Sequence, residues 1–402
     1  MQTKIFSLLL CGGVTAALAA DVPEPKFRAV TIDDKIQIGY GITTADVDGD
    51  KLPDLLLADK NQIIWYQNPG ADKSATAGAW RKHVIAENLT KLDHVCLAAA
   101  DIDGDGKCEI AVGAGWNPGD TENSGAVFYL IAPADRTQKW EAVTLSHEPT
   151  VHRMRWVKDP ASGSHQLVVV PLHGRGNKNG AGVGVKVLAY KKPADPRQPW
   201  TTTVLNDALH MTHNFDFVSG ASDMLVAGKE GVFRVGIDGS KSSLQLAGNV
   251  SGGAGEVRTG KLAGAIPFFA TVEPMHGNNL VVYTTPVSKE TPAGKLLWNR
   301  QVLDTTLADG HALACGDLLG LGRDQIIVGW RAMGKAGAKV GLKVFTSLDG
   351  EGKTWRSTVV DDNGMACEDL CLADLDGDGK LDIIAAGRAT KNVKIYLNQS
   401  AK

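Results

Sequence analysis

The amino-acid sequence predicts an all-β fold, a seven-bladed β-propeller of four-stranded blades whose ring is closed when the N-terminal strand completes the last blade. Three features of the 402 residues predict it: an acidic turn that recurs, a spacing of about 55 residues between repeats, and the same order of short apolar runs in each repeat. A repeat of this length accommodates four short strands and their turns. The composition, 43% apolar and 22% charged, is typical of a folded chain.

The acidic turn occurs three times in equivalent surroundings. It is DVDGDKLPD at 46–54, DIDGDGKCE at 101–109 and DLDGDGKLD at 374–382, and a degenerate fourth copy covers 317–324. A short extended run precedes each copy, and an apolar run such as DIIAAG follows it. This arrangement predicts a hairpin of two strands joined by the acidic turn.

The spacing of the turns gives the number of repeats. Asp46 and Asp101 lie 55 residues apart, Asp317 and Asp374 lie 57 apart, and the gap of 216 residues from Asp101 to Asp317 equals four steps of 54. Three repeats without the aspartates therefore lie in that gap, at VHRMRWV, THNFDFV and GEVRTGKL. Most repeats have a fourth strand led by a tryptophan, which we expect to be a packing residue: Trp80, Trp140, Trp200, Trp298 and Trp355.

The two ends of the chain complete each other. The last repeat lacks a fourth strand, and an unassigned strand, FRAVTIDD, lies at 27–34. Pairing of these ends closes the ring and leaves no sheet edge open, so we expect residues 21–402 to form one propeller domain. Residues 1–20 combine Lys4, an apolar run and small residues at Ala17 and Ala19. These are the marks of a signal peptide, which predicts a periplasmic or secreted protein.

Charge and hydropathy exclude some partners. The formal net charge of −3 argues against a nucleic-acid-binding surface. No apolar run is long enough to span a bilayer, so we expect no membrane insertion. Five cysteines follow the predicted signal peptide, of which Cys96 and Cys108 flank one hairpin and could form a disulfide. The alternative is that all five are small buried side chains.

The acidic turns resemble the calcium-binding loops of FG-GAP (VCBS-type) propeller repeats. In such a loop alternate aspartates converge on a hard cation, glycine permits the tight turn, and a last carboxylate completes the coordination. We expect structural calcium ions on the lower face of the propeller, and the alternative is a set of turns that bind no metal. The predicted ligands are Asp46, Asp48, Asp50, Asp54, Asp101, Asp103, Asp105, Glu109, Asp374, Asp376, Asp378 and Asp382.

The opposite, upper mouth collects unusual residues. In a propeller the starts of the first strands and the ends of the second strands meet there, and six of the ten histidines fall at such positions. Histidine suits both metal ligation and proton transfer near neutral pH. The first strands place there Tyr40, His94, His152, His213, Glu256, His311 and Glu368. The second strands place there Trp116, His173, Arg175, Lys229, Glu273, His276, Trp330, Arg331 and Arg388.

Several of these segments, in order, resemble one family. HEPTVHRMRW, LHMTHNFDFV, EVRTGKLAG with FFATVEPMHGNNLVVYTTP, and LLWNRQVLDTTLADGHALACGD are similar to the amino-terminal propeller of the aldos-2-ulose (1,5-anhydro-D-fructose) dehydratases. The resemblance runs from Ile38 to the sixth blade. It implies elimination of water from a keto-sugar with the help of a divalent metal. Those dehydratases continue into cupin and further domains, so we expect no isomerase step of the cupin part here.

The chemistry assigns roles to the mouth residues. Elimination next to a ketone needs a base, stabilisation of the enolate and an acid for the leaving group. We expect His152 to transfer the proton. We expect the axial divalent metal, zinc or manganese, to be held by a set that also offers a second acid or base: His213, Glu273, His276 and His311. Residues expected to bind the sugar are Tyr40, His94, Trp116, Arg155, His173, Arg175, Trp330, Arg331 and Arg388.

The sequence leaves open both the sugar substrate and two alternative functions. The substrate predicted first is a small keto-sugar such as 1,5-anhydrofructose, or a 3-keto-glycoside that loses an alcohol. A second reading is a polysaccharide lyase that acts on uronic-acid polymers, and a third is a calcium-stabilised propeller that binds carbohydrate or protein without catalysis. Among the residues themselves, Arg153 and Arg155 could brace neighbouring blades, and Glu273 could bond His276 without touching a metal.

Overall fold

Seven four-stranded antiparallel sheets account for nearly all of the regular structure in the computed structural model. The structure describes residues 22–159, 162–218, 222–239, 243–247, 252–285, 298–333 and 337–401. The predicted signal peptide, residues 1–20, lies outside them. The seven sheets confirm the predicted seven-bladed propeller.

Blades 1 to 3 follow the chain, each strand pairing with the next. Blade 1 contains β2 Gly41–Ala45, β3 Asp54–Ala58, β4 Gln62–Gln67 and β5 Arg81–Glu87, with a short helix α1 at Ala71–Ser74 and a 3-10 turn at Ala77–Ala79. Blade 2 contains β6 Cys96–Ala100, β7 Glu109–Ala114, β8 Ala126–Ile131 and β9 Glu141–Leu145. Blade 3 contains β10 Val151–Lys158, β11 His165–Pro171, β12 Val187–Lys191 and β13 Thr201–Asn206.

Blades 4 to 6 repeat this order. Blade 4 contains β14 Thr212–Phe217, β15 Asp223–Gly228, β16 Gly231–Gly236 and β17 Ser243–Ala247. Blade 5 contains β18 Glu256–Lys261, β19 Pro267–Glu273, β20 Asn279–Thr284 and β21 Asn299–Asp304, with a 3-10 turn at Ala263–Ala265. Blade 6 contains β22 Gly310–Gly316, β23 Gln325–Trp330, β24 Gly341–Ser347 and β25 Trp355–Asp362.

Blade 7 joins the two ends of the chain. It contains β26 Cys367–Ala373, β27 Asp382–Gly387, β28 Asn392–Asn398 and, as its outer strand, β1 Phe27–Asp33. β1 pairs with β28 in antiparallel register, Val30 opposite Ile395. The guanidinium of Arg356 holds the chain before β1 by donating to the carbonyl oxygens of Val22 and Pro23, both at 2.7 Å.

The core lies between neighbouring blades. Second strands such as β7 and β27 are buried at every position, because each is covered by the adjacent blade on both faces. One apolar cluster joins Leu56 and Trp65 of blade 1 to Ile110 and Val112 of blade 2, and Trp140 completes it. Trp140 thus packs as predicted. This packing fixes how the first strands line the central axis and where their ends project.

The predicted option of a Cys96–Cys108 disulfide is not realised. Both thiols are free and buried. They belong to different apolar clusters, Cys96 with Met154 on the blade 3 side and Cys108 with Leu56 on the blade 1 side. The two cysteines flank one hairpin but serve as small core residues.

Candidate active site

Four residues at the upper mouth share one backbone feature. In β10, β14, β22 and β26 the pairing with the next strand skips one residue, which is the extra residue of a β-bulge. The skipped residues are His152, His213, His311 and Glu368. A bulge bends its strand and redirects a side chain. Four different blades thus use the same device to present a polar side chain at the axis.

His213 lies at the centre of the histidine cluster. Its Nδ1 is 2.8 Å from the carbonyl oxygen of Gly255, so Nδ1 carries the proton and Nε2 keeps a lone pair. That Nε2 is 2.6 Å from Nε2 of His276. His311 is held in the same way, with Nδ1 donating to the carbonyl oxygen of Glu368 at 2.6 Å. One ring nitrogen from each of His213, His276 and His311 lies within 4.8 Å of the others.

His276 reaches the cluster from the loop after β19. Its Nδ1 lies 3.2 Å from Nη2 of Arg331 and 3.6 Å from a carboxylate oxygen of Asp309. Arg331 also donates to Asp309 and to Glu368. With Arg331 donating to Nδ1, the proton of His276 lies on Nε2 and points at His213. If a cation bound Nε2 of His276, the ring proton would lie on Nδ1, and Asp309 could accept a hydrogen bond from it.

His152 is bonded differently from the other three histidines. Its Nδ1 donates to the carbonyl oxygen of His213 at 2.8 Å, and its Nε2 accepts from Nη1 of Arg153 at 3.1 Å. Its ring stacks on Trp116, with centroids 4.8 Å apart and planes at 23°. His152 therefore lies beside the three-histidine group, while its Nε2 faces the guanidinium of Arg153.

The four imidazoles are neutral. Burial lowers the pKa values of His152, His213 and His311 well below the usual value, and neighbouring arginines lower them further. Burial, then His213 and Arg331, lowers the pKa of His276 to about 3. Neutral imidazoles retain the lone pair that metal ligation or proton abstraction requires.

The three-histidine group fits a transition-metal ion. Imidazole nitrogen is a donor that zinc, copper, iron and nickel prefer, whereas calcium prefers oxygen. The hydrogen bonds to the carbonyls of Gly255 and Glu368 keep the proton of each of these two rings on Nδ1, which leaves the Nε2 lone pair for a metal or, at His213, for the hydrogen bond from His276. Asp309 stands beside the third ring, as carboxylates commonly do behind histidine ligands.

A cavity of about 340 Å³ opens above the cluster. One wall is polar: the Tyr40 hydroxyl donates to Asp93 at 2.8 Å, and Arg388 lies over the Tyr40 ring at 5.2 Å. Glu368, only 3% exposed, accepts from Arg331 and from Arg388. Because every charge in this wall has a partner, the wall offers oriented donors and acceptors to a polyhydroxylated ligand.

Several predicted site residues lie elsewhere. Glu273 is 1% exposed and its carboxylate accepts from Thr271, Tyr283 and Arg300 within blade 5. Its prediction as a metal ligand or acid is corrected, because the side chain turns into the blade and not to the axis. Trp330 is corrected too, since its indole donates to the Lys339 carbonyl and packs between blades under the Lys343 ammonium.

Four further residues predicted to bind the sugar also fall outside the cavity lining. Arg155 lies in the central channel below the mouth, 3.5 Å from Asp216. His94, just before β6, and His173, just after β11, are both buried, and burial lowers the pKa of each. Arg175 bonds the carbonyl of Glu122. The cavity therefore keeps, from the predicted set, Tyr40, Trp116, His152, His213, His276, His311, Arg331 and Arg388.

The structure adds residues that the sequence reasoning missed. Arg153 was considered only as a brace, yet it binds Nε2 of His152. Asp93 and Asp309 were not singled out. Both precede a first strand and pair through the backbone with the end of the second strand, at Trp116 and Arg331. Their shared place in the repeat is a signal by which both could have been found.

The acidic loops lie at the opposite end of the first strands. Three carboxylates converge in each loop: Asp46, Asp48 and Asp50; Asp101, Asp103 and Glu109; Asp374, Asp376 and Asp382. Backbone amides help to shape the turns, as where Gly104, at φ 84°, donates to Asp101 at 2.7 Å. Such concave groups of oxygen ligands suit calcium.

Some predicted calcium ligands differ in place. Asp54 lies outside the converging group of its loop, is fully buried, and accepts from the amides of Val47 and Asn68. Asp105 and Asp378 also lie outside the converging groups of their loops. In the degenerate loop Asp317 accepts from Leu321 and Gly322. The turn therefore persists there without a carboxylate cluster.

The family model "Aldos-2-ulose dehydratase, beta-propeller domain" matches residues 124–286. Models of an FG-GAP-like repeat and an FG-GAP repeat match residues 46–112 and 97–130. The chain resembles the dehydratase propeller. This confirms the resemblance that the sequence segments predicted.

A curated relative agrees with these matches. The aldos-2-ulose dehydratase of Phanerodontia chrysosporium is 25% identical over 321 residues, which cover 72% of this chain. The chain spans about a third of that relative, 34% of its length. The similarity is therefore to the propeller part of a dehydratase and does not extend over the whole relative.

Solved structures share the fold alone. The WD40 β-propeller domain of Doa1 superposes with a TM-score of 0.53 at 11% identity, covering 93% of this chain and 97% of that one. A chain of the mitotic checkpoint complex gives 0.56 at 12% identity, covering 99% of both. In the part of the chain that the structure describes, no helix has the length and apolar character needed to cross a membrane.

Proposed function

We propose that this protein is a carbon–oxygen lyase that catalyses β-elimination from a keto-sugar such as 1,5-anhydrofructose or a 3-keto-glycoside. The observation that carries the proposal is the group of neutral histidines His152, His213, His276 and His311 in one cavity with oriented arginines. The similarity to a dehydratase propeller supports the same reaction class.

The proposed reaction moves one proton from carbon to oxygen and needs no oxidant or reductant. A base removes the proton on the carbon next to the ketone, and the electron pair of that C–H bond forms a C=C bond. The C–O bond at the neighbouring carbon breaks with its electron pair on oxygen, which takes up a proton and leaves as water or an alcohol. The products are an unsaturated ketone and the leaving group, with no net oxidation.

His152 is the proposed carrier of the proton. Its Nε2 takes the α-proton once Arg153 turns from this nitrogen to the substrate. The resulting imidazolium is a stronger acid than a solvated one, because burial and Arg153 lower its pKa. It therefore returns the proton readily to the departing oxygen. General acid–base catalysis of this kind contributes roughly 10²–10⁴-fold.

Other residues hold the substrate. Trp116 offers an aromatic face beside His152. Arg331 and Arg388, each tied to Glu368, present further donors to sugar oxygens. These ion pairs fix the guanidinium groups before substrate binds, which reduces the entropy lost on binding.

His213, His276 and His311 are the proposed ligands of an axial divalent metal, zinc or manganese. When bound there, such an ion would supply Lewis-acid polarisation of the substrate carbonyl, worth several kcal/mol of enolate stabilisation. The acidic loops are proposed to hold calcium, with a role in stability only. Elemental analysis of the protein after extensive dialysis tests both assignments.

Assays with alternative substrates separate this function from others. The protein is incubated with 1,5-anhydrofructose, a 3-keto-glucoside and a uronate polymer, and ultraviolet absorbance follows the unsaturated product. Turnover of either keto-sugar supports the proposal. Turnover of the polymer alone would instead identify a polysaccharide lyase, and sugar binding without turnover would identify a binding propeller.

Replacement of His152 tests its role. His152→Gln should lower kcat by roughly 10²–10⁴-fold with little change in melting temperature, because glutamine can keep the bond to the His213 carbonyl. His147→Gln is the matched control, since His147 belongs to the same segment but bonds only the adjacent carbonyl of Glu148. An active His152→Gln protein would remove His152 from the mechanism.

We also propose export, from the features of residues 1–20. Mass spectrometry of the N-terminus of the native protein should find it close to Asp21. An N-terminus at Met1 in the native protein would contradict export by cleavage.

A further inference from the structure

We propose that the wall of the mouth opposite the paired arginines binds an apolar aglycone, so that the preferred substrate is a glycoside with an alkyl or aryl leaving group. This inference rests on the proposed function. It concerns the group attached to the leaving oxygen, which the sequence left undefined.

The cavity has two unlike walls. Tyr40, Arg331, Glu368 and Arg388 come from blades 1, 6 and 7 and carry charges or a hydroxyl. The loops of blades 2 to 5 contribute an apolar wall beside His152 and Arg153, formed by Trp116, Pro118, Leu172, Met211 and Met275. The histidine cluster lies between the two walls.

The apolar wall is open to the cavity. Trp116, Leu172, Met211 and Met275 are each only partly buried, and Pro118 is exposed. These five residues come from four separate loops, so the packing of the blades and not the local sequence brings them together. Partly exposed apolar side chains that converge in a concave site commonly mark the place of an apolar ligand group.

The polarity of this wall is informative about the ligand. A free keto-sugar that loses water presents hydroxyl groups on most of its edge, and these would face methionine and leucine without a hydrogen-bond partner. An alkyl or aryl group on the leaving oxygen would instead bury apolar surface there. Methionine side chains adapt to groups of varied shape.

The position of His152 links the wall to the leaving group. Its ring stacks on Trp116, the first residue of the apolar wall, and contacts His213 at 4.6 Å between centroids. A leaving oxygen that takes its proton from His152 therefore lies at the border of the apolar wall. The substituent on that oxygen then extends over Trp116 and the two methionines.

Affinity for unreactive glycosides tests the wall without requiring turnover. Isothermal calorimetry compares methyl and hexyl β-glucosides, which differ only in apolar length. Hexyl β-glucoside should bind at least tenfold more tightly, since each buried methylene adds favourable transfer free energy. Equal affinities for the two glucosides would overturn the proposal.

Turnover is measured in parallel on the methyl and hexyl 3-keto-glucosides. Their leaving alcohols have similar acidity, so a higher kcat/KM for the hexyl compound, mainly through KM, reports on the wall. A hexyl preference in binding without any turnover would refute the proposed lyase function while supporting an apolar glycoside site. Turnover without a hexyl preference would do the reverse.

Matched variants locate the preference. Met275→Gln and Met211→Gln keep the length of the side chain but make it polar, and should reduce the hexyl-to-methyl affinity ratio by about threefold or more. Met333→Gln is the control, because Met333 is exposed and outside the cavity. A ratio that falls equally in the control, or in none of the three, would contradict the assignment of the wall.

Discussion

The propeller carries groups of side chains that could hold a metal ion at both of its ends, and the two ends assemble them in different ways. On the lower face, Asp374, Asp376 and Asp382 come from one turn between neighbouring strands. At the upper mouth, His213 and His276 meet although 63 residues separate them. The acidic loops need only a local turn, whereas the histidine group exists only when blades 4, 5 and 6 are packed side by side.

This difference predicts how each end responds to change. A substitution in one acidic loop should act on one hairpin and leave the mouth intact. A substitution of one mouth histidine should instead disturb a group to which three blades contribute. The protein therefore offers a direct comparison of a local and a convergent site in one fold.

The largest effect is expected from His213→Ala. It removes the central ring of the cluster, so the axial metal should be lost and kcat/KM should fall by roughly 10²–10⁴-fold. Elemental analysis and turnover measure the two effects, and the calcium content should not change. His210→Ala is the control, since His210 pairs with Glu230 outside the cavity. Full metal content in His213→Ala would contradict the proposed ligand set.

A smaller effect is expected from Asp382→Asn. Asp382 belongs to an acidic group, so its loss should remove part of the stabilisation by calcium, roughly 2–4 °C of Tm at saturating ion. Asp317→Asn is the comparison, because the loop of Asp317 has the turn without the carboxylate cluster. Thermal unfolding with calcium and with chelator measures both. An equal loss of the calcium effect in the two variants would mean that the cluster is not the ion site.

The smallest expected effect is the pH dependence of calcium stabilisation. Burial and neighbouring carboxylates raise the pKa values of Glu109 and Asp382 to about 7. Between about pH 4 and pH 7 the unfolded chain has released these protons, whereas the calcium-free folded protein retains them. The calcium-free folded protein therefore loses stability as pH rises through this range.

Calcium binds the ionised carboxylates and should offset that loss. The difference between Tm with calcium and Tm with chelator should therefore grow from about pH 5 to about pH 7.5. The histidines act with the opposite sign, because their lowered pKa values destabilise the fold as pH falls below about 6.5. A calcium effect that shrinks with rising pH would contradict the carboxylate assignment.

The same distinction explains what the sequence could predict. The blade count and the acidic loops follow from spacing and local motifs, and so does the closing strand. The mouth was predicted in part: His152, His213, His276 and His311 were correctly brought together by their places in the repeat. Glu273 and Trp330 were not, because a residue at the end of a second strand can turn into the blade or toward the axis. Their hydrogen bonds to Arg300 and Lys339 decide that direction.

The bulges of blades 3, 4, 6 and 7 have a consequence for protein engineering. His152, His213, His311 and Glu368 occupy positions that the register of each blade skips. Other side chains can therefore be installed at these four positions without breaking the strand pairing on either side. The upper rim therefore offers four positions at which the side chain can vary while the propeller backbone stays the same. Different metal centres or binding surfaces could be designed there by substituting these four residues.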